Sequence, residues 1–197
     1  MSNYTVRMIF PTCIHEYIFD KINAKEIIDF CYQQKEKNPI GQTKSNRGGW
    51  HSQFFNLTDD NIISHTLAEG LGKSIFTAIN PDLKMEMSYW IIINSPNTYN
   101  VSHTHPDAHF SGVLWVKVPK NSGKIKFDNP FSHTGFVEIE AYLDTVNETT
   151  GFHHAMVIDP EVGKMLTFPS SLRHEVFVNE SNEDRIAISF NMHITTN

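Results

Sequence analysis

The sequence predicts a mainly β domain whose N-terminal part is helical. Residues 1–85 carry helical periodicity, whereas residues 86–197 contain short runs rich in β-branched and aromatic residues, separated by turn residues. At 197 residues the chain is long enough for one sizeable core, and domains of this class commonly reach about 200 residues as one unit. We therefore expect a single domain, 1–197, in which helices support a β core.

Two helices are predicted in the N-terminal part. The stronger pattern begins near Thr58 and Asp59, which suit a helix cap, and ends before Pro81. A shorter helix is predicted from about Ala24 to Lys37. In the stronger pattern, the residues at spacings of three and four are Ile62, Ile63, Thr66, Leu67, Leu71, Ile75 and Ile79.

Six β-rich runs follow, namely SYWIIIN, GVLWVKVP, GKIKFDNP, GKMLTFPS, HEVFV and RIAISFNMH. One face of the last run carries Ile186, Ile188, Phe190 and Met192, and the other carries Arg185, Ala187, Ser189, Asn191 and His193. In a sandwich the polar face would meet solvent. Small residues beside an arginine also suit the lumen of a small barrel, so the pattern alone leaves both arrangements open.

Composition and charge argue against several kinds of partner. Sixteen basic and twenty-two acidic residues give a formal net charge of −6, which disfavours a nucleic-acid partner. The longest strongly apolar run, WIII at 90–93, is far shorter than the roughly 18 residues of a membrane span. Cys13 and Cys31 are too few for a disulfide framework, and the first residues lack the features of a secretory signal. We expect a cytoplasmic protein without a membrane partner.

The stretch NVSHTHPDAHFSG, residues 100–112, concentrates residue types that bind metals. His103, His105 and Asp107 form two overlapping pairs, each with candidate ligands two positions apart, a spacing that suits an extended strand. A third ligand must come from a distant segment, and His174 is a candidate because it opens the run HEVFV. Arg185 starts the next run, so two adjacent antiparallel strands could present His174 and Arg185 to one cavity. Three protein ligands on one face of Fe(II) are typical of non-haem iron oxygenases.

Each of these residues also has an ordinary structural interpretation. The histidines of the 100–112 stretch could decorate a polar loop, His174 could be a hydrogen-bonded core residue, and Arg185 could belong to a surface ion pair. The combination of a close-spaced pair, a distant histidine and an arginine after it favours a metal site with an anion-binding group.

Four segments resemble the 2-oxoglutarate and Fe(II)-dependent oxygenase superfamily, and within it a family of phage and bacterial oxygenases similar to prolyl hydroxylases. They are SNRGGWHS at 45–52, YNVSHTHPDAHFSGVLWVKVP at 99–119, the GKIKFDNP that follows, and GKMLTFPSSLRHEVFVNESNEDRIAISFN at 163–191. The resemblance implies a double-stranded β-helix, a jelly-roll or cupin-like barrel, with N-terminal supporting helices. It also implies Fe(II) and 2-oxoglutarate as cofactors.

The implied activity is that of a dioxygenase, which couples oxidative decarboxylation of 2-oxoglutarate to hydroxylation of a C–H bond by O2. A peptide or protein side chain is the first candidate substrate and a small metabolite the second. The alternative is a cupin-like metal-binding protein without oxygenase activity. Arg185 distinguishes the two, because only the oxygenase requires a carboxylate anchor beside the metal. If the chain is phage-encoded, it would act in the host cytoplasm.

The resemblance also implies roles for individual residues. His174 would be the distal iron ligand, and Arg185 would bind the C5 carboxylate of 2-oxoglutarate, with Ser189 in the same lumen-facing row. Trp50 would either contact substrate at the mouth of the site or fill the seam between helices and barrel.

The third iron ligand is open between His103 and Asp107. The superfamily motif His-x-Asp corresponds to His105 and Asp107, and a carboxylate would offset the charge of iron. The family pattern His-x-His-Pro corresponds instead to His103 and His105. We favour His103, because Pro106 is awkward inside a strand, so that the strand would end at His105. Asp107 would then be an outer-shell acceptor that orients a ligand histidine or a bound water.

Overall fold

The computed structural model describes residues 12–74, 83–131 and 153–196. In these ranges the strands form two antiparallel sheets. The large sheet contains β1 (His15–Ile18), β3 (Trp50–His51), β4 (Phe55–Asn56), β5 (Leu83–Asn94), β7 (Phe110–Lys117), β10 (Lys164–Pro169) and β12 (Arg185–Thr196). The small sheet contains β2 (Asn46–Arg47), β6 (Tyr99–His103), β8 (Ile125–Asp128), β9 (Ala155–Ile158) and β11 (His174–Val176). All six β-rich runs of the sequence therefore contain a strand.

The large sheet is built around the ladder between β5 and β12. These two strands pair along their whole length, from Arg185 opposite Asn94 to Thr196 opposite Leu83. The strand order is β1, β10, β7, β12, β5, β3, with β4 also paired to β5, whereas the small sheet runs β2, β6, β11, β8, β9. Because the ladder is continuous, it fixes which residues of β5 and β12 share a face.

Two helices precede β5. The first, α1, spans Ala24–Lys37, as the sequence predicted, and the side chain of Asn23 accepts a hydrogen bond from the Glu26 amide at its start. The second, α2, spans Ile62–Gly72, and its cap is Asn61. Neither helix is of the length and hydropathy needed to span a bilayer, and the described chain contains no other candidate.

The start of α2 corrects the predicted cap. Asn61 is extended, and its Oδ1 accepts from the amides of Ile63 and Ser64 at 2.9 and 3.1 Å. Asp59 instead accepts from the Asn56 amide in the turn before the helix. The later positions of the predicted pattern, Ile75, Ile79 and Pro81, lie outside the described residues.

Each face of the large sheet covers a different core. One core lies between the sheet and the helices, and the other lies between the two sheets. Arg185 and Ala187 belong to the face that meets the small sheet, and they are 2% and 6% exposed. The lumen arrangement of this row is therefore the one that the protein adopts, and the exposed-face alternative is wrong.

A tight turn at Gly48 and Gly49 carries the chain from the small sheet to the large one. It joins β2 to β3, and both glycines have positive φ, at 65° and 66°. A Cβ on Gly49 would lie 2.8 Å from the carbonyl oxygen of Ile93. Glycine is therefore required here by backbone conformation and close approach, and the turn places His51 beside β5.

Candidate metal centre and anion site

A cavity of about 490 Å³ lies between the two sheets. Both sheets contribute to its wall, so residues that are distant in sequence face the same space. Of the predicted site residues, those that line it are His103, His105, Asp107, His174, Arg185 and Ser189. Trp50 is absent from its lining.

Three histidines converge on one side of this cavity. His103 is the last residue of β6 and pairs with His174, the first residue of β11. His105 follows the strand, where its backbone amide donates to Ser170 O at 2.9 Å. One ring nitrogen from each imidazole lies within 4.8 Å of the others, which is close enough to share an ion after small side-chain shifts.

Backbone carbonyls orient two of the three imidazoles. The Nδ1 of His103 lies 2.7 Å from Val101 O, and the Nδ1 of His174 lies 2.9 Å from Leu172 O. A carbonyl can only accept, so each Nδ1 carries the hydrogen and each Nε2 keeps its lone pair. This outer-shell arrangement is typical of histidines that bind a metal through Nε2.

Burial keeps the histidine cluster neutral. It lowers the pKa of His174 to about 3 and that of His105 to about 4, with a further lowering from the neighbouring His103. The pKa of His103 is also lowered, chiefly by burial. Neutral imidazole is the form that binds a metal ion, so no proton must be displaced at neutral pH.

Asp107 lies apart from the histidine cluster. It is exposed, in the turn after Pro106, and the candidate metal group found among the described residues contains three histidines and no carboxylate. The strand ends at His103, two residues earlier than expected, because the chain then turns so that the His105 amide bonds to Ser170. Within the described chain no hydrogen bond joins Asp107 to the histidine cluster, and backbone carbonyls accept from the Nδ1 atoms of His103 and His174. The outer-shell role of Asp107, toward His105 or a bound water, stays a prediction.

Arg185 lies in the large sheet and is 2% exposed. Its Nη1 donates to Ser122 O at 2.6 Å and to Gly123 O at 3.2 Å, and its Nη2 donates to Asn94 Oδ1 at 2.7 Å. No carboxylate pairs with it in the described ranges, and burial lowers its pKa to about 10. A buried cation that has only neutral partners favours an anionic ligand, and the terminal carboxylate of 2-oxoglutarate has suitable charge and shape.

The structure corrects how His174 and Arg185 reach one cavity. They lie on opposite walls, His174 in the small sheet and Arg185 in the large one, and not on adjacent strands. The connection between β11 and β12 changes sheet, and Asn179 fixes it by donating to the carbonyls of Asn94 and Glu183.

Trp50 also requires a correction. It is 4% exposed in the core beside the helices, and its Nε1 donates to Asn38 O at 2.8 Å. Because side chains alternate along a strand, the adjacent His51 faces the cavity instead. Trp50 therefore does not line the cavity but packs in the seam between helices and sheet, so nothing in its contacts supports the expected role in substrate binding.

Sequence reasoning did not single out several residues of the cavity wall, among them His51, Trp90 and Asn94. Trp90 and Asn94 belong to SYWIIIN, whose central run WIII is apolar on both faces and so gives no clear alternation that identifies the cavity side. Their pairing with Ser189 and Arg185 was the available signal, but it required the register of the sheet. His51 and Trp50 are the two residues of strand β3, so their side chains point to opposite faces of the sheet. The sequence did not show which of the two faces the cavity.

Several solved structures share this fold at low sequence identity. A prolyl-4-hydroxylase from Pseudomonas putida matches with a TM-score of 0.62 and 12% identity, over 92% of each chain. HygX from Streptomyces hygroscopicus, with nickel and 2-oxoglutarate bound, matches with a TM-score of 0.60 and 10% identity, over 92% of this chain and 82% of its own. A Trichoplax adhaerens prolyl hydroxylase, in complex with a peptide fragment of hypoxia inducible factor, matches with a TM-score of 0.60 and 12% identity, over 92% of this chain and 82% of its own. The fold is therefore the double-stranded β-helix of these oxygenases.

The sequence itself identifies the family. No curated protein of significant similarity was found. Residues 88–191, just over half of the chain, match the family model described as "Putative 2OG-Fe(II) oxygenase". This segment contains all three clustered histidines and Arg185, whose donor types suit Fe(II) and 2-oxoglutarate. The chain belongs to this family and is an Fe(II)- and 2-oxoglutarate-dependent oxygenase.

Proposed function

We propose that His103, His105 and His174 hold Fe(II) and that Arg185 anchors the C5 carboxylate of 2-oxoglutarate. One observation carries the proposal, which is that the three imidazoles and the buried guanidinium face one cavity from opposite walls. A cupin-like metal protein without oxygenase activity would not need the buried guanidinium of Arg185 beside its metal site. Family membership supports the proposal, because an oxygenase of this class needs both a metal site and an anchor for 2-oxoglutarate.

The proposed ligands are three neutral imidazoles, so the protein supplies no negative charge to the metal. An anionic cosubstrate then has two electrostatic partners, the cation at the histidine cluster and the guanidinium of Arg185. Asp107, at the exposed edge of the cavity, is a candidate for contact with water or substrate rather than with iron.

A chain of side-chain amides supports the guanidinium. Asn94 accepts from Arg185 and donates to Asn100 Oδ1 at 3.2 Å, and Asn100 donates to Ser45 Oγ at 3.0 Å. These bonds hold the fork of Arg185 in one orientation, which favours a bidentate carboxylate contact. Ser189 lies on the same face of β12, and we assign its hydroxyl to the cosubstrate as well.

Fe(II) and 2-oxoglutarate, when bound, supply the activation of O2 that couples decarboxylation of the cosubstrate to hydroxylation of a C–H bond. The chain's own contribution is to orient the cosubstrate and to limit water in the site. Trp90, Ile92 and Trp115 make much of the cavity wall apolar and are nearly buried themselves.

We propose a peptide or protein side chain as the substrate. The Trichoplax structure with its peptide fragment shows that this fold accommodates such a ligand, and in this chain Phe54, which lines the cavity, is 50% exposed. The net charge of −6 disfavours a nucleic acid.

We further propose that the chain acts as a single domain in the cytoplasm, of the host if a phage encodes it. The free thiols of Cys13 and Cys31 support a reducing compartment.

The test is anaerobic titration of Fe(II), followed by 2-oxoglutarate, with the visible charge-transfer absorption of the chelate as the readout. His174→Ala should weaken Fe(II) binding by more than about 100-fold, because loss of a mere outer-shell partner already costs about 10- to 100-fold. His65→Ala is the matched control, since His65 is exposed and remote from the cavity. Wild-type iron affinity in His174→Ala would contradict the assignment.

A further inference from the structure

Three rings extend from the histidine cluster to a solvent-exposed part of the cavity wall. The Trp90 ring centroid lies 5.8 Å from that of His105 and 5.3 Å from that of Phe54. His51 stacks on Trp90 at 5.7 Å, with 7° between the ring planes. We call His51, Phe54 and Trp90 the aromatic wall, and all three line the cavity.

Phe54, the outermost ring of this wall, is not held in place by packing in a hydrophobic core. Phe54 belongs to neither hydrophobic core cluster of the described residues, and half of its surface is exposed. Its ring is nevertheless held edge-on against Trp90 and His51. A fixed, exposed aromatic ring at a cavity entrance is suited to contact with a second ring on a ligand, edge-to-face or offset-stacked.

His51 adds a polar requirement to the same surface. It is 2% exposed, and its Nδ1 lies 2.6 Å from Ser52 O, so Nδ1 carries the hydrogen and Nε2 is an acceptor. No described residue donates to Nε2. In the described chain, the sole side-chain polar atom that is both fully buried and without a partner is Ser122 Oγ. His51 Nε2, which also has no partner, is therefore accessible from the cavity. Burial also lowers the pKa of His51, which keeps the ring neutral.

From this geometry we propose that the aromatic wall is the substrate-specificity site and takes an aromatic ring that donates an N–H or O–H to His51 Nε2. In a peptide substrate such a ring is the indole of tryptophan or the phenol of tyrosine. The inference rests on the proposed function, because the contact between Trp90 and His105 places this ring beside the proposed metal ligands. The C–H bond that is hydroxylated then belongs to the aromatic residue or to its neighbour in the chain.

Two probes that differ in one donor test the proposal. Indole has a ring N–H, whereas N-methylindole has a similar ring without it. Calorimetric titration should show that wild-type protein binds indole about three- to tenfold more tightly, the difference expected for one neutral hydrogen bond. His51→Phe keeps a ring against Trp90 but removes the acceptor, so it should abolish this preference.

A second variant tests the wall independently of His51. Phe54→Ala should weaken both probes by about three- to tenfold, since it removes a ring contact. Its side chain is half exposed, so the fold should persist. Phe177→Ala is the matched control, because Phe177 is 39% exposed but does not line the cavity, and it should leave both affinities unchanged.

Equal affinity of wild-type protein for the two probes would overturn the proposal. The proposal would also be overturned if Phe54→Ala bound both probes as tightly as the wild-type protein, and this test holds even if His51→Phe does not fold. Titration of the same wild-type sample with Fe(II) and 2-oxoglutarate separates the two levels of inference. If Fe(II) and 2-oxoglutarate bind normally but indole is not preferred, only the proposed specificity site is wrong. If neither Fe(II) nor 2-oxoglutarate binds, the proposed function is contradicted.

Discussion

The two faces of the large sheet differ in kind although the same strands form both. The face toward the helices carries side chains with no exposed surface, namely Tyr89, Ile91, Ile93, Ile186 and Ile188. The face toward the small sheet carries Trp90, Ile92, Asn94, Arg185, Ala187, Ser189 and Asn191, which line the cavity. Alternate residues of β5 and β12 therefore pack the core and line the cavity respectively. A slip of one residue in register would exchange the two roles.

This division explains how the protein keeps a charge in its interior. Burying Arg185 without an anion opposes folding, and its bonds to Ser122, Gly123 and Asn94 offset only part of that cost. The close-packed face on the other side of the same strands supplies the compensating stability. The apolar face of β12 thus offsets the cost of the polar groups on its other face, which lines the cavity.

The largest expected effect on stability comes from the helix-facing side. Ile188→Ala should lower the free energy of unfolding by about 2 to 5 kcal/mol, because it opens a cavity in a fully buried position. Urea unfolding measures the change. Ser189→Ala, the next residue on the opposite face, is the control and should alter stability by less than about 1 kcal/mol. Equal losses in the two variants would contradict the division of roles. If Ile188→Ala does not fold, Ile188→Val should still cost about 0.5 to 1.5 kcal/mol.

The corresponding change on the cavity side is Arg185→Met. It should raise the 2-oxoglutarate concentration needed for half-saturation by about 30-fold or more, since a charge-assisted bidentate pair is lost. Iron affinity should stay unchanged, because Arg185 lies on the wall opposite the histidines. Arg185→Lys keeps the charge without the fork and should fall between the two. Titration of iron-loaded protein with 2-oxoglutarate measures all three, and an unchanged requirement in Arg185→Met would remove Arg185 from the site.

The same comparison shows why the sequence predicted some features and missed others. Helix α1 and the alternation of β12 were predicted because each pattern is local: a periodic apolar face in the helix and a strict apolar-polar alternation in the strand. The opposite placement of His174 and Arg185 was not, because it depends on contacts of Asn179 that join distant segments. The run WIII is apolar on both faces, so Trp90 could not be assigned to the cavity without its partners in the sheet.

Trp50 and His51 show the same difference between the two faces in adjacent residues, since Trp50 packs in the helix-side core and His51 lines the cavity. Trp50→Phe removes the hydrogen bond to Asn38 O while keeping a ring in the core, so it should cost about 1 kcal/mol of stability. Binding of iron and 2-oxoglutarate should not change. Thermal or urea unfolding, together with the two titrations, measures this. A variant that kept its stability but lost ligand affinity would return Trp50 to the functional side.

The smallest expected effect is that of Asp107→Ala on iron binding. The exposed carboxylate makes no hydrogen bond to the histidine cluster within the described chain, so its loss should change Fe(II) affinity by less than about tenfold, the lower end for an outer-shell partner. His103→Ala should remove a ligand and weaken binding far more. Both are compared by anaerobic Fe(II) titration after circular dichroism has established that they fold.

His103→Asp makes this comparison decisive. It puts a carboxylate at the end of β6, directly opposite His174 in the register of the small sheet. If the third ligand belongs at this position, an aspartate there should recover much of the iron affinity that alanine loses, because two histidines and one carboxylate are a common Fe(II) ligand set. If Asp107 is the ligand instead, Asp107→Ala should lose iron while both His103 variants retain it. Strand geometry favours the first result, since the chain has already turned away from the cluster before it reaches Asp107.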